Sequence, residues 1–183
     1  MEHKGTQRLE TERLILRRFA VEDAAAMYQN WASDPEVVKY LTWPVHSGAE
    51  ATRALLENWA RRYENPDVYN WGIEWKESGE LIGSISVVQI RERVSEASLG
   101  WCIGKRWWGQ GVMPEAGSAV LDYLFRTVGF HRVAATHDVD NPKSGRVMQK
   151  IGMKYEGTLR SAGVNNRGIC DVVCYAILSE DFL

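Results

Sequence analysis

Arg106-Trp107-Trp108-Gly109-Gln110-Gly111-Val112-Met113-Pro114-Glu115 lies between a strand-like stretch and an apolar helical one. Two glycines within three residues let the backbone turn tightly and approach a ligand closely. Pro114 suits the first helical turn, where its missing N–H costs nothing. The N–H groups of such a turn, with the helix dipole, form an anion site, and Arg106 adds a charge-assisted contact to phosphate. A Walker loop needs a Gly-Lys pair, and none follows. The dinucleotide fingerprint needs a third glycine where Pro114 stands. A pyrophosphate loop of another kind remains, beside a plain strand–helix turn.

Asn141-Pro142-Lys143-Ser144-Gly145-Arg146-Val147-Met148-Gln149-Lys150-Ile151-Gly152 forms a second informative stretch. Asn141 reads as an N-cap, Pro142 as the first helical residue and Gly152 as the stop. Upstream, Leu14-Ile15-Leu16 reads as a strand and Glu22 to Trp31 as a helix. Ser47, with Glu50 in capping-box position, opens a further helix that ends at Asn65-Pro66. The apolar period then becomes two, giving strands over Trp71–Trp75, Leu81–Ile90 and Glu96–Ile103. A helix over Pro114–Val128 closes at Gly129. A strand over Arg132–Asp138 follows, and two final strands span about 153–160 and 169–178.

The chain has 183 residues and a formal net charge of −2, which fits one ordinary domain over 1–183. That charge argues against a partner with a nucleic-acid backbone. No apolar run approaches the length of a membrane span, and the polar start at Met1-Glu2-His3 does not resemble a signal peptide. Cys170 and Cys174, on one strand, would be about 13 Å apart, too far for a disulfide. With no Cys/His cluster, no metal is expected, and reduced thiols point to the cytoplasm. The unusual count is eight tryptophans, more rigid apolar surface than a core alone requires.

Together these motifs resemble the GNAT acetyltransferase superfamily, and most closely its RimJ/RimL-like branch. The loop fits the pattern Arg/Gln-x-x-Gly-x-Gly/Ala at Arg106, Gly109 and Gly111. Ser98-Leu99-Gly100-Trp101 is similar to the branch's Glu-Ile-Gly-Tyr strand, and Asn141 to Gly157 to its Asn-x-x-Ser…Gly segment. The resemblance implies a mixed α/β (α+β) fold, the GNAT acyl-CoA N-acyltransferase fold. Its central sheet is mostly antiparallel and twisted, splayed between strands 4 and 5, and flanked by helices. It implies acetyl-CoA as cofactor and direct acetyl transfer to an amine. The pantetheine arm would pair with backbone near Trp101, Cys102 and Ile103. The pyrophosphate would rest on Trp107, Trp108, Gly109, Gln110, Gly111 and Val112. Asn141 would hydrogen-bond the pantetheine, and Ser144 would lie near the thioester sulfur as proton donor. Homodimers occur in this branch.

The general base is harder to place. The branch's common carboxylate position is Ser98 here, and Glu96 lies two residues earlier on the same strand face, able to act through water. Tyr40, Leu41 and Trp43, in the loop between the first two helices, are expected on the acceptor side, with Trp75 joining from the second strand. An α-amine has a pKa of about 7.7–8.0 and lysine about 10.4, a gap of about 2.5 units or roughly 3.4 kcal/mol. A site without a well-placed carboxylate therefore favours a protein N-terminus over lysine. Acetylation of a polyamine or aminoglycoside-like amine, and a non-catalytic CoA-binding module, are the alternatives.

Overall fold

The computed structural model describes residues 1–182. Eight strands form one sheet in the order β1-β2-β3-β4-β5-β6-β8-β7. They are β1 (Leu9–Glu10), β2 (Leu14–Arg17), β3 (Asn70–Trp75), β4 (Glu80–Arg91), β5 (Glu96–Ile103), β6 (Arg132–Asp138), β7 (Lys154–Asn165) and β8 (Gly168–Leu178). Every neighbouring pair is antiparallel except β5 and β6, which run parallel because a helix crosses between them.

The helices are α1 (Ala24–Met27), α2 (Pro35–Val38), α3 (Ala49–Arg62), α4 (Val112–Asp122) and α5 (Pro142–Lys150). α1 and α4 each continue as a wider π-type turn, over Tyr28–Ala32 and Tyr123–Val128. One face of the sheet packs Leu14, Leu16, Trp71 and Ile73 against Val120, Leu124 and Met148 of the α4 and α5 side. The other face receives α1 to α3 through Met27, Trp31 and Leu56, which meet Phe19, Leu81 and Cys102. The period-two strands thus bury alternate residues on opposite layers.

Three local expectations shift. The N-cap of α3 is Gly48, so Ser47 falls one residue outside and forms no capping box with Glu50. α4 begins at Val112, behind Gly111 at φ +75°, which leaves Pro114 inside the first turn. The last two strands are longer than expected and meet across Asn166-Arg167, because their outer portions are exposed and lack an apolar alternation to announce them.

The feature that positions the site is a parting in the sheet. β5 and β6 pair only from Glu96 with Arg132 to Leu99 with Ala135. Beyond that point β5 runs on to Ile103 along β4, and β6 runs on to Asp138 along β8. The two-residue β1 shifts the count by one, so the parting strands are the fourth and fifth from Leu14.

Candidate active site

A cavity of about 1020 Å³ opens at this parting and extends under the α1–α3 layer. Its walls join Gly100, Trp101 and Cys102 on β5 with Thr136, His137 and Asp138 on β6, then Asn141 and Ser144 at the start of α5. Tyr40, Leu41 and Trp43 form part of the opposite wall, with Leu55 and Trp59 of α3. The structure therefore brings together residues that the sequence separates by a hundred positions.

The Gly104 N–H donates to Ile82 O at 2.9 Å. By the alternation of an antiparallel ladder, Cys102 and Gly100 then direct their backbone groups to β4, while Trp101 and Ile103 direct theirs into the gap. This corrects the expectation for Cys102, whose backbone belongs to the β4 ladder. The Ile103 carbonyl already accepts from Trp108 Nε1 at 2.9 Å. Trp101 is left as the fully available edge for an extended amide chain.

At the start of α4, the Trp107 and Trp108 N–H groups donate to Gly104 O and Lys105 O. They are closed to a ligand, which narrows the expected anion nest. From Gly109 to Val112, the N–H groups have no hydrogen-bond acceptor among the described residues. Gly109 and Gly111 hold φ of +78° and +75°, conformations that point successive N–H groups to one side. Arg106 does not face this nest. It ion-pairs with Glu80 and lies over the Trp107 ring.

The basic group beside the loop is Arg13, missed in the sequence because it precedes the loop by almost a hundred residues. Its Nη1 donates to Gln110 O at 3.1 Å and its Nε to Glu115 Oε2 at 2.7 Å. Glu115 also accepts from Thr11 Oγ1 and the Arg13 N–H. Burial pushes this carboxyl up, but those donors and the Arg13 charge outweigh it and hold Glu115 below the usual range. Trp75 packs against Trp107 in a tilted pair, ring centres 4.8 Å apart, beneath Arg13. It belongs to the support of this loop rather than to the acceptor wall.

Asn141 caps α5 by position, but its side chain makes no capping bond. Neither its amide nor the Ser144 hydroxyl has a hydrogen-bond partner among the described residues, and both line the cavity. The residues present fit an extended, diphosphate-bearing thioester ligand: an open strand edge and two polar side chains without protein partners at the cavity, and a nest of N–H donors at the start of α4 outside its lining.

Glu96 and Ser98 are not brought to the cavity. Glu96 is 3% exposed and bonds Arg91 and Arg132, with Nε contacts of 2.7 Å and 2.6 Å. Burial pushes its carboxyl up, yet the two guanidinium groups dominate and keep it below the ordinary value. A carboxylate held ionised by two cations is a poor proton acceptor. Ser98 lies on β5, between Gln89 of β4 and Ala134 of β6.

Among the described residues, Asp138 is the one carboxylate that lines the cavity and Arg62 the one lysine or arginine. Asp138 accepts from the Asp140 N–H at 2.8 Å and Asn165 Nδ2 at 2.6 Å. These bonds and the Arg167 charge overcome burial and lower its pKa. His46 bonds Thr52 Oγ1 at 2.7 Å, and burial lowers its pKa. All three cysteines line the cavity, and burial raises each thiol, Cys102 to about 11. The β7–β8 hairpin supplies Leu159, Ala162, Val164 and Asn165 as a further wall. The only sequence signal for that wall was the Asn165-Asn166-Arg167-Gly168 turn.

Comparison with known proteins agrees with this geometry. The family model described as "Acetyltransferase (GNAT) domain" matches residues 13–154. The Bacillus subtilis protein named as uncharacterized N-acetyltransferase YoaA is 32% identical over 170 residues, 93% of this chain and 96% of its own length. The [ribosomal protein uS5]-alanine N-acetyltransferase of Escherichia coli is 28% identical over 159 residues, 82% of this chain and 79% of its own. A crystal structure of a GNAT-family acetyltransferase from Bacillus anthracis superposes with a TM-score of 0.83 at 29% identity, covering 95% of this chain and 99% of that one.

Proposed function

The chain belongs to the GNAT acetyltransferase family and is an acetyl-CoA-dependent acetyltransferase; from that premise we propose that its acceptor is a protein N-terminal α-amine. The observation that carries this reading is the cavity's lining. Tyr40, Leu41, Trp43, Leu55 and Trp59 give it an apolar, aromatic wall, and Asp138, its single carboxylate among the described residues, is already bonded. A polyamine or aminoglycoside carries several positive charges, which need uncommitted carboxylates for recognition. An α-amine is already roughly 10% neutral at pH 7 and needs no strong base. The E. coli relative, by its name, acts on the alanine of a ribosomal protein, which adds support for a peptide acceptor.

When bound, acetyl-CoA supplies an acetyl group activated as a thioester. The same proposal assigns the chain's own contributions. The Gly109–Val112 N–H groups would hold diphosphate charge, and the Trp101 backbone and Asn141 amide would orient the pantetheine. Ser144 Oγ holds a proton for release toward the departing sulfur. A backbone N–H at the parting strand edge would stabilise charge on the acetyl oxygen. The aromatic wall excludes water from the incoming amine. Three free thiols support a reducing, cytoplasmic setting.

The test is an acetyl-transfer panel read by thiol release. Peptides with a free N-terminus are expected to turn over at least tenfold better than N-blocked lysine peptides, polyamines or aminoglycosides. Equal turnover of lysine peptides, or a preference for polyamines, would overturn the α-amine reading.

A further inference from the structure

The tip of the β7–β8 hairpin reaches the loop that follows α2. Asn166 Nδ2 donates to Val38 O and Trp43 O, both at 2.8 Å. Its backbone N–H donates to Leu41 O at 3.2 Å. One residue thus holds three carbonyls across the Val38–Trp43 segment, the segment that carries Tyr40, Leu41 and Trp43 into the cavity wall. Its neighbours tie the same tip to the other side of the parting. Arg167 Nη1 donates to Asp140 Oδ2 at 2.7 Å, and its guanidinium lies 5.4 Å from the Tyr40 ring centre. Asn165 Nδ2 donates to Asp138 Oδ2. Three consecutive residues therefore connect the 38–43 segment to the β6–α5 turn, which ends in Asn141.

We propose that Asn166 is a positioning residue for the acceptor, a latch that fixes the backbone on which the aromatic wall is mounted. It lines no part of the cavity itself. Its amide suits the task because a short side chain with two N–H donors satisfies two carbonyls at once; aspartate offers no N–H and serine only one donor. Left without the latch, the segment would hold its side chains in several arrangements, and the acceptor would bear the entropy of selecting one. The inference rests on the reading of Tyr40, Leu41 and Trp43 as the acceptor wall. It does not depend on which amine the wall receives.

The experiment compares wild type, Asn166→Ala, Asn166→Asp, Asn166→Ser and Trp43→Ala on the best acceptor of the transfer panel. Asn166→Ala is expected to raise the acceptor KM roughly tenfold, the worth of two lost hydrogen bonds, with kcat within about twofold. Its Kd for acetyl-CoA, by calorimetry, should stay within about twofold. Asn166→Asp should match or exceed the increase, and Asn166→Ser should fall between alanine and wild type. Hydrogen exchange without any substrate should speed up at Leu41 to His46 and stay unchanged in β4. If Trp43→Ala raises the acceptor KM and Asn166→Ala does not, the latch alone is overturned. If Trp43→Ala leaves KM unchanged, the acceptor-wall reading falls and the latch with it. Equal weakening of acetyl-CoA and acceptor would make Asn166 a scaffold residue and overturn the proposal. A wild type that prefers a polyamine sinks the α-amine reading while leaving this comparison measurable on that polyamine.

Discussion

Ser144 and Glu96 show how much a residue's chemistry depends on its neighbours. Ser144 keeps an uncommitted hydroxyl at the cavity wall, whereas Glu96 is clamped between Arg91 and Arg132. Ser144→Ala should lower kcat by about 100-fold, within the range for a general acid, with little change in acetyl-CoA affinity. A variant that keeps its kcat within about threefold would remove Ser144 from that role. Glu96 contributes to stability instead. Its folded pKa lies below the unfolded one, so its contribution is complete above the ordinary carboxylate range and is lost as pH falls through the folded value. Glu96→Gln should cost about 1–2 kcal/mol at pH 7, because the charge-assisted bonds to Glu96 are lost while Arg132 keeps its paired contact with Glu156 and the half-exposed Arg91 is solvated by water. Urea melts between pH 3 and 7 should then show a flatter acid limb than wild type. Identical pH profiles would refute the assignment. The sequence showed Glu96 on a strand face but gave no sign of Arg132, which only the parallel pairing of β6 brings beside it. For that reason a candidate base became a structural anchor.

At the scale of elements, the loop before α4 was legible and its support was not. Gly109 and Gly111 sit where the glycine spacing placed them, and both adopt left-handed conformations. Gly111→Ala should cost about 1–2 kcal/mol of backbone strain and weaken acetyl-CoA, visible together in thermal melts and calorimetry. An unchanged melting temperature would mean that this left-handed turn is not required. The reach of Arg13 and Glu115 across the loop could not be read, because β2 and α4 meet only in the folded sheet. Arg106 illustrates the converse. Its place in the motif was clear, but Glu80 on β4 captures its charge, a contact set by strand register rather than by local sequence. The order of strands and helices was legible from periodicity. The hairpin of β7 and β8 was legible only in part, since its exposed outer residues carry no apolar alternation.

The open strand edge proposed for the cofactor lies where two parts of the sheet separate, so binding there would couple ligand and fold. Acetyl-CoA at about 100 times its Kd should add about 2.7 kcal/mol of stability, while NAD and ATP should add none. Thermal-shift measurements with the three ligands check this, and stabilisation by NAD or ATP alone would contradict the assignment. Beyond thermodynamics, the parting has a mechanical consequence. A four-residue seam is what joins β1–β5 to β6, β8 and β7 within the sheet, whereas β4–β5 and β7–β8 are zipped along most of their lengths. A molecule stretched between these two halves in an optical trap should yield first at that seam. A cofactor bound across it, as proposed above, would act as a removable stitch and raise the rupture force.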